Sequence, residues 1–182
     1  MTTQPEWTNS WAVPYHGLWR KHLGKFVGVE AHALEIGSYE GRSSCFFVGN
    51  ILTHENSTLD CVDPWLVPGT EERFQHNIDA LGCRAKMHIH KGASDTLPLD
   101  GKEWSFVYVD GWHSAKAALF DAVRAWVSLK KGGVLIWDDY QWCINEKKRV
   151  DCPKMAIDAF LNVCENELKI LHIGGQVIVE KK

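Results

Sequence analysis

The sequence predicts a doubly wound α/β fold whose Rossmann-like sheet is mostly parallel, with one antiparallel strand supplied by a C-terminal hairpin. Short apolar segments alternate along the chain with segments of helical periodicity, which is the pattern of βαβ units. Most of these apolar segments end at an acidic residue or a glycine. Near the C-terminus, Gly174 and Gly175 separate two further apolar segments, which is typical of a hairpin.

The predicted strands are short and bounded by turn residues. In chain order they span residues 31–36, 58–63, 85–90, 106–109 and 134–137, followed by the hairpin strands 168–173 and 176–179. The second strand must end at Asp63, because Pro64 has no backbone N–H to donate to a central sheet ladder.

The spacing of apolar residues predicts helices before and between the strands. They span residues 15–27, 42–52, 71–81, 114–129 and 153–165. Residues 130–133, Lys-Lys-Gly-Gly, supply the cations and glycines that end a helix. Residues 1–30 are expected to form an N-terminal helical segment that packs on the domain or covers its site, and residues 31–182 the Rossmann-like domain itself.

The composition is that of a soluble globular protein. Among 182 residues, 45% are hydrophobic and 24% charged, and no apolar run is long enough to cross a membrane. The first nine residues lack the pattern of a signal peptide, so a cytoplasmic location is expected. A net charge of -3 argues against nucleic acid as a partner. The six cysteines form no Cys-x-x-Cys pair and are expected to be reduced, and a homo-oligomer is left open.

The first predicted strand runs into a turn with two glycines, in the sequence Glu35-Ile36-Gly37-Ser38-Tyr39-Glu40-Gly41. Glycine at positions 37 and 41 allows a sharp turn and a close approach of a ligand, and the first N–H groups of the next helix point to the same place. The spacing is not the G-x-G-x-x-G of dinucleotide-binding folds, which argues against NAD and FAD. A purely structural turn is the alternative.

Polar residues also follow the other predicted strands. Asp63 ends the second strand, Ser94 and Asp95 follow the third, Asp110 follows the fourth, and Asp138 and Asp139 follow the fifth. In open α/β sheets, ligands bind outside the carboxyl ends of the strands. The sequence therefore predicts one ligand site at that edge.

This order of motifs resembles the class I S-adenosylmethionine-dependent methyltransferases over roughly residues 30–182. Within that superfamily, Val109-Asp110-Gly111-Trp112-His113 and Ile136-Trp137-Asp138-Asp139-Tyr140 resemble the metal-dependent O-methyltransferases of the catechol type and the macrocin type. The resemblance implies a methyltransferase that uses S-adenosylmethionine to methylate a hydroxyl group of a small molecule, such as a sugar, a polyketide or a phenol.

The resemblance also implies a set of cofactor-binding residues, with Asp63 accepting the ribose hydroxyl groups and Ser94 beside the adenine, where Asp95 is an alternative. The full set is Glu35, Gly37, Ser38, Gly41, Ser43, Asp63, Ser94 and Asp110. Glu35 is expected either to hold the glycine turn or to meet the methionine end of the cofactor through water.

Three acidic residues, Asp110, Asp138 and Asp139, are expected to bind Mg²⁺ or Mn²⁺, since carboxylate oxygens suit hard cations. The cation would lower the pKa of the acceptor hydroxyl. The alternative is that only one residue of the adjacent pair Asp138 and Asp139 faces the site, with Asp110 serving the loop.

Asp110 and His113 are the candidate catalytic residues. His113 matches the position of a lysine base in the catechol type, and a histidine is suited to proton transfer near neutral pH. A packing role or a hydrogen bond to substrate is an equal alternative for His113. Trp112 stands where the macrocin type has its acidic base, so that mechanism does not carry over unchanged.

Two other classes of function are compatible with the sequence. One is a module that binds S-adenosylmethionine without catalysis, and the other is an enzyme that uses a different nucleotide cofactor on a Rossmann-like fold. Substrate choice is expected to depend on the N-terminal segment and on residues 141–151, but neither segment indicates a particular substrate.

Overall fold

The computed structural model describes residues 4–98, 101–142, 150 and 152–182. The chain divides into two compact units, Met1–Leu97 and Pro98–Lys182. We describe the units in turn.

The described part of the first unit contains three parallel strands and three α-helices. The strands are β1 (His32–Ile36), β2 (Thr58–Asp63) and β3 (Met87–Lys91), and the helices are α1 (His16–Leu23), α2 (Arg42–Asn50) and α3 (Thr70–Ala80). Strand β2 pairs with both β1 and β3, and Glu35 lies opposite Cys61. Strands β1 and β2 are almost fully buried, as expected for central parallel strands.

Helix α1 packs against α2 through aromatic side chains. The Trp19 ring is fully buried and lies 5.3 Å from the ring of Phe46 and 4.8 Å from that of Phe47. Short 3-10 turns, Val13–Tyr15 and Gly24–Phe26, flank α1, so the helix is shorter than the amphipathic pattern predicts.

The second unit contains the remaining strands and helices. The strands are β4 (Trp104–Val109), β5 (Leu129–Trp137), β6 (Leu168–Ile173) and β7 (Val177–Lys181), and the helices are α4 (Ala115–Val127) and α5 (Pro153–Val163). Strand β5 is parallel to β4, and β7 is antiparallel to both β5 and β6. Ser114 caps the N-terminus of α4, and its hydroxyl accepts the backbone N–H of Ala117 at 3.3 Å.

Seven strands form one sheet in the order β3-β2-β1-β4-β5-β7-β6. The mostly parallel sheet with an antiparallel strand from a C-terminal hairpin confirms the predicted fold class. No helix in the described residues is long and apolar enough to cross a membrane.

The predicted start of β5 is wrong, because the strand begins at Leu129 and not at Val134. Leu129 pairs with Trp104, and the register between β4 and β5 then shifts before Phe106. Gly132 has a φ of 72°, a left-handed conformation that glycine adopts readily. Residues 130–133, predicted to end a helix, therefore belong to strand β5.

The cysteines also differ from expectation at one position. Cys45, Cys61, Cys83 and Cys164 are free, as predicted. Cys152 is disulfide-bonded, so the expectation of reduced thiols is wrong for this residue. The absence of a Cys-x-x-Cys pair did not exclude a disulfide.

Gly41 and Gly49 provide a matched test of the turn between β1 and α2. Gly41 has a φ of 82°, and a Cβ atom there would lie 2.8 Å from Cδ2 of Phe74. A Cβ atom on Gly49, inside α2, would meet nothing within 4 Å. We expect Gly41→Ala to lower the free energy of unfolding by ~1–3 kcal/mol. Gly49→Ala should raise it by ~0.5–1 kcal/mol, and urea denaturation of both variants measures the difference.

Candidate active site

The glycine turn between β1 and α2 has an unusual backbone. Gly37, Tyr39 and Gly41 have φ values of 89°, 48° and 82°, so three of five consecutive residues are left-handed. The N–H of Gly37 donates to the carbonyl of Val62 at 2.8 Å, which holds the start of the turn on β2. For a residue as bulky as tyrosine, the left-handed conformation costs roughly 1–3 kcal/mol, so neighbouring groups must stabilise it.

Asp63, at the end of β2, supplies much of that stabilisation. Its Oδ2 accepts the backbone N–H groups of Ser38 and Tyr39, both at 2.9 Å. Its Oδ1 accepts the N–H of Trp65 at 2.6 Å. A carboxylate has about four lone-pair sites, so these three bonds leave room for one more donor. The Asp63 carboxylate therefore lies against the turn and has room for one further hydrogen-bond donor.

Glu35 is fully buried and is bonded to α2. Its carboxylate accepts hydrogen bonds from the hydroxyl groups of Ser43, at 2.6 Å, and Ser44. Burial raises the pKa of Glu35, although these hydrogen bonds oppose the rise. Two predicted cofactor residues, Glu35 and Ser43, are thus bonded to each other.

Other groups at the turn retain capacity to bind a ligand. The hydroxyl of Ser38 is buried and has no hydrogen bond of good geometry to any described residue, although it lies near enough to Glu35 to lower the pKa of that carboxyl. The first N–H groups of a helix have no acceptor within the helix, and α2 begins at Arg42, directly after Gly41. The turn therefore suits a polar ligand with an anionic end.

Ser94 lies in the same unit, directly after β3. It begins a short 3-10 helix, Ser94–Thr96, and is half-buried. The N–H of Gly92 donates to the backbone carbonyl of Asp63 at 3.1 Å, so this segment is joined to the end of β2. Ser94 thus follows, two residues later, a glycine that is bonded to the end of β2.

In the second unit, the structure brings together Asp110, His113 and Asp139. One ligand atom from each residue lies within 4.8 Å of the other two, and all three residues are half-buried. Nε2 of His113 lies 2.9 Å from Oδ2 of Asp139. Asp139 has a φ of 60°, the left-handed conformation that aspartate tolerates better than most residues. Two carboxylates and an imidazole can together bind a divalent cation.

Asp138 makes different contacts from its neighbour. Its Oδ2 accepts the hydroxyl of Tyr108, and its Oδ1 accepts the backbone N–H of Asp139 at 2.8 Å. Burial raises the pKa of Asp138, and the charge of Asp139 adds to the rise. Of the predicted metal set, Asp110 and Asp139 lie in the cluster with His113, whereas the carboxylate of Asp138 is engaged by Tyr108 and the backbone.

Tyr108 is a site residue that sequence reasoning missed. It is 1% exposed, and its hydroxyl lies 3.1 Å from Oδ2 of Asp110 as well as against Asp138. One hydroxyl proton can bond only one carboxylate at a time, so Tyr108 links the two acids. Its position two residues before Asp110 could have indicated it, because alternate side chains of an extended chain lie on the same face.

The neighbouring carboxylates change the pKa of His113. The hydrogen bond to Asp139 raises the pKa of His113, and the charges of Asp139 and Asp138 add to it, while partial burial opposes them. The ring of Trp142 lies edge-on at 4.3 Å from the imidazole. Trp112 is 72% exposed and Trp142 49%, so two indole rings near His113 are open to solvent.

Tyr140, directly after Asp139, is fixed by polar contacts. Its N–H donates to the carbonyl of Gly175 at 3.0 Å, and its hydroxyl donates to Oδ1 of Asp158 at 2.8 Å. Nζ of Lys154 donates to the same hydroxyl at 2.7 Å. Of the predicted substrate loop 141–151, residues 143–149 and 151 lie outside the described residues.

A family model described as a methyltransferase domain matches residues 34–140. This range includes the glycine turn, Asp63 and all of Asp110, His113, Asp138 and Asp139. The chain belongs to this methyltransferase family, and it is an S-adenosylmethionine-dependent methyltransferase, as the sequence motifs predict. A comparison with curated proteins finds no match.

Solved structures of methyltransferases share the fold. The O-methyltransferase TomG from Streptomyces achromogenes, in complex with S-adenosylmethionine, is 16% identical with a TM-score of 0.73, over 95% of this chain and 82% of that one. An O-methyltransferase from Bacillus cereus with S-adenosylhomocysteine is 13% identical with a TM-score of 0.70, over 100% and 84%. An rRNA methylase from Streptococcus thermophilus is 12% identical with a TM-score of 0.67, over 97% and 99%.

The three N–H groups on Asp63 lead to a test of its role in the turn. In Asp63→Asn one oxygen is replaced by an amide NH₂, so at least one backbone N–H faces a donor. We expect the free energy of unfolding to fall by ~1–3 kcal/mol, which urea denaturation measures. The exposed Asp95→Asn is the matched control and should change little. Equal stability of Asp63→Asn and the wild type would show that the turn does not depend on this carboxylate.

The pair of His113 and Asp139 predicts a pH dependence. Because Asp139 raises the pKa of His113, Asp139→Asn should lower that pKa toward or below the ordinary 6.5, as observed by NMR titration of the imidazole. A raised pKa in the folded state stabilises the protein fully below pH ~6.5, and this stabilisation is lost as the pH rises through the raised value. The stability difference between wild type and variant should shrink over that window. An unchanged His113 pKa in the variant contradicts the pairing.

Proposed function

We propose that this enzyme transfers the methyl group of S-adenosylmethionine to a hydroxyl oxygen of a small molecule, with the help of a divalent cation. The observation that carries the proposal is the cluster of Asp110, His113 and Asp139, whose ligand atoms lie within 4.8 Å of one another. Methyl transfer to oxygen requires the hydroxyl to lose its proton, and a cation or a base at such a cluster would favour that loss.

The residues of the first unit suit the methyl donor. Ser38 has a buried hydroxyl with spare hydrogen-bonding capacity, and Asp63 has room for one further donor. We propose that Gly37 and Gly41 admit the amino-acid end of the cofactor, that Asp63 accepts a ribose hydroxyl and that Ser94 lies beside the adenine. Glu35 and Ser43 act by holding the turn. When bound, the cofactor supplies a sulfonium-activated methyl group.

The residues of the second unit suit the acceptor. Asp110 and Asp139 offer carboxylate oxygens, and His113 offers a nitrogen. Mg²⁺ demands oxygen ligands in near-ideal octahedral geometry, whereas Mn²⁺ accepts imidazole more readily. We therefore favour Mn²⁺ over Mg²⁺ if all three residues are ligands. Asp138 would contribute by orienting Asp139 through its bond to the backbone N–H.

His113 has two proposed roles, which exclude each other at Nε2. As a ligand, Nε2 would bind the cation beside Asp139. As a general base, Nε2–H would stay bonded to Asp139, at the observed 2.9 Å, and Nδ1 would take the hydroxyl proton. The raised pKa of His113 supports the second role when no cation is bound, because it makes the imidazole a better proton acceptor.

A small-molecule acceptor is supported by the known relatives of this fold and by charge. TomG is an O-methyltransferase involved in tomaymycin synthesis. The fold also occurs in an rRNA methylase, but a net charge of -3 gives this chain no overall attraction to a nucleic-acid backbone. The exposed rings of Trp112 and Trp142 suit a planar or apolar acceptor such as a phenol.

Calorimetry followed by a turnover assay tests the proposal. We expect the wild-type protein to bind S-adenosylhomocysteine and to methylate at least one member of a panel of catechols, simple phenols and sugars. Removal of metal with EDTA should lower turnover by about tenfold or more, and Mn²⁺ should restore it. Cofactor binding without methylation of any panel member would favour a binding module. Equal turnover with EDTA and with Mn²⁺ would contradict the role of the cation.

The variant His113→Gln separates the two proposed roles of His113. His113→Gln should lose Mn²⁺ binding if the imidazole is a ligand. If the imidazole is a base, the variant should retain Mn²⁺ binding and lose turnover together with the acidic limb of the pH profile. Asp139→Asn should lose metal stimulation in either case, while Asp95→Asn, an exposed residue of the first unit, serves as the control for metal binding.

A further inference from the structure

The N-terminal residues Gln4–Trp11, here called the strap, lie against the glycine turn. None of these residues is in a helix or strand. Their contacts are made with two places in the first unit, the turn at residues 39–42 and helix α3. None of the cofactor contacts that the sequence predicts involves the strap.

The strap is bonded to α3 through its backbone. Asn77, which is fully buried, accepts the N–H of Glu6 at 2.6 Å and donates to the carbonyl of Glu6 at 2.8 Å. Nε2 of His76 lies 2.9 Å from the carbonyl of Gln4. Asn77 also donates to the backbone carbonyl of Glu40 at 3.0 Å. One buried amide thus joins the strap, the helix and the turn.

The side chain of Glu40 makes the closest connection between strap and turn. Glu40 is 2% exposed, and its carboxylate accepts the N–H of Thr8 at 2.9 Å, the hydroxyl of Thr8 at 2.7 Å and Nε of Arg73 at 2.5 Å. These hydrogen bonds keep the pKa of Glu40 below its ordinary value although burial opposes them. A buried carboxylate is stable only with such partners, so the turn and Thr8 depend on each other.

Two aromatic contacts extend the connection along the turn. The guanidinium of Arg42 lies 4.7 Å from the ring centre of Trp7. The ring of Trp11 lies 5.8 Å from that of Tyr39, the left-handed residue of the turn. Tyr39, Glu40 and Arg42 are therefore each in contact with the strap. A strained residue keeps its conformation only where its surroundings fix it, and the strap is part of those surroundings.

We infer that the strap presets the turn for the methyl donor, and that Glu40 is a positioning residue that acts through Thr8. This inference rests on the proposed role of the turn in binding the cofactor. Glu40 does not touch the cofactor in this scheme. Its side chain holds Thr8 on one side and Arg73 on the other, so that the backbone of residues 38–41 has its binding conformation before the ligand arrives.

The test compares binding of S-adenosylhomocysteine by Thr8→Val, Thr8→Ser and the wild type in calorimetry. Thr8→Val has nearly the same shape but lacks the hydroxyl donor to Glu40, so it should bind about three- to tenfold more weakly. Thr8→Ser keeps the hydroxyl and should bind within about twofold of the wild type. Ser10→Ala removes an exposed hydroxyl elsewhere in the strap and is the matched control.

Hydrogen exchange and kinetics distinguish positioning from a general loss of stability. In Thr8→Val, amide exchange of residues 38–41 should accelerate in the free protein and return to the wild-type rate at saturating S-adenosylhomocysteine. KM for S-adenosylmethionine should rise while kcat stays within about twofold, because saturating ligand restores the turn. Glu40→Gln, which keeps an acceptor but loses the charge, should show the same pattern.

The experiments distinguish failure of the strap inference from failure of the proposed function. A wild-type protein that does not bind S-adenosylhomocysteine overturns both. A wild-type protein that binds, with Thr8→Val equal to it in affinity and in exchange at residues 38–41, overturns the strap inference alone. Weaker binding by Thr8→Val with no change in exchange at the turn also overturns it, since the strap would then act elsewhere.

Discussion

The bond between the Asp63 carboxylate and the backbone of the glycine turn is the interaction on which the first unit's site depends. Three N–H groups converge on two oxygens at the end of β2. They fix the left-handed Tyr39, whose carbonyl in turn accepts the indole N–H of Trp65 at 2.8 Å. These hydrogen bonds therefore join the end of β2, the turn and the segment after β2. Any ligand that uses Asp63 meets a carboxylate already oriented by the chain itself.

The sequence was sufficient to predict the strands, their polar ends and the glycine turn, because these follow from periodicity and from chain-breaking residues close at hand. It was insufficient wherever a residue's partner is remote. Leu129 belongs to β5 because it pairs with Trp104, which no local pattern reveals. Glu35 lies in β1 just before the turn, and its bonds to Ser43 and Ser44 depend on how α2 leaves Gly41.

The acidic pair after β5 is a second case in which the sequence does not determine the contacts of a side chain. Successive side chains of a strand point to opposite faces, so the sequence predicts that Asp138 and Asp139 differ without saying which of them meets Asp110. In the structure, Asp139 has a left-handed backbone, and its carboxylate lies against His113. Tyr108 then engages Asp138, so that Asp139 is the residue of the pair that lies with Asp110 and His113.

The division of the chain at Leu97 has a consequence for how such an enzyme can diversify. Nearly all residues proposed to bind the methyl donor precede that point, whereas the proposed acceptor residues Asp110, His113 and Asp139 follow it. If the proposed roles hold, changes after Leu97 can alter the choice of acceptor while the donor-binding residues of the first unit keep their identity. In directed evolution, a library confined to residues 98–182 would explore new acceptors while retaining a common donor.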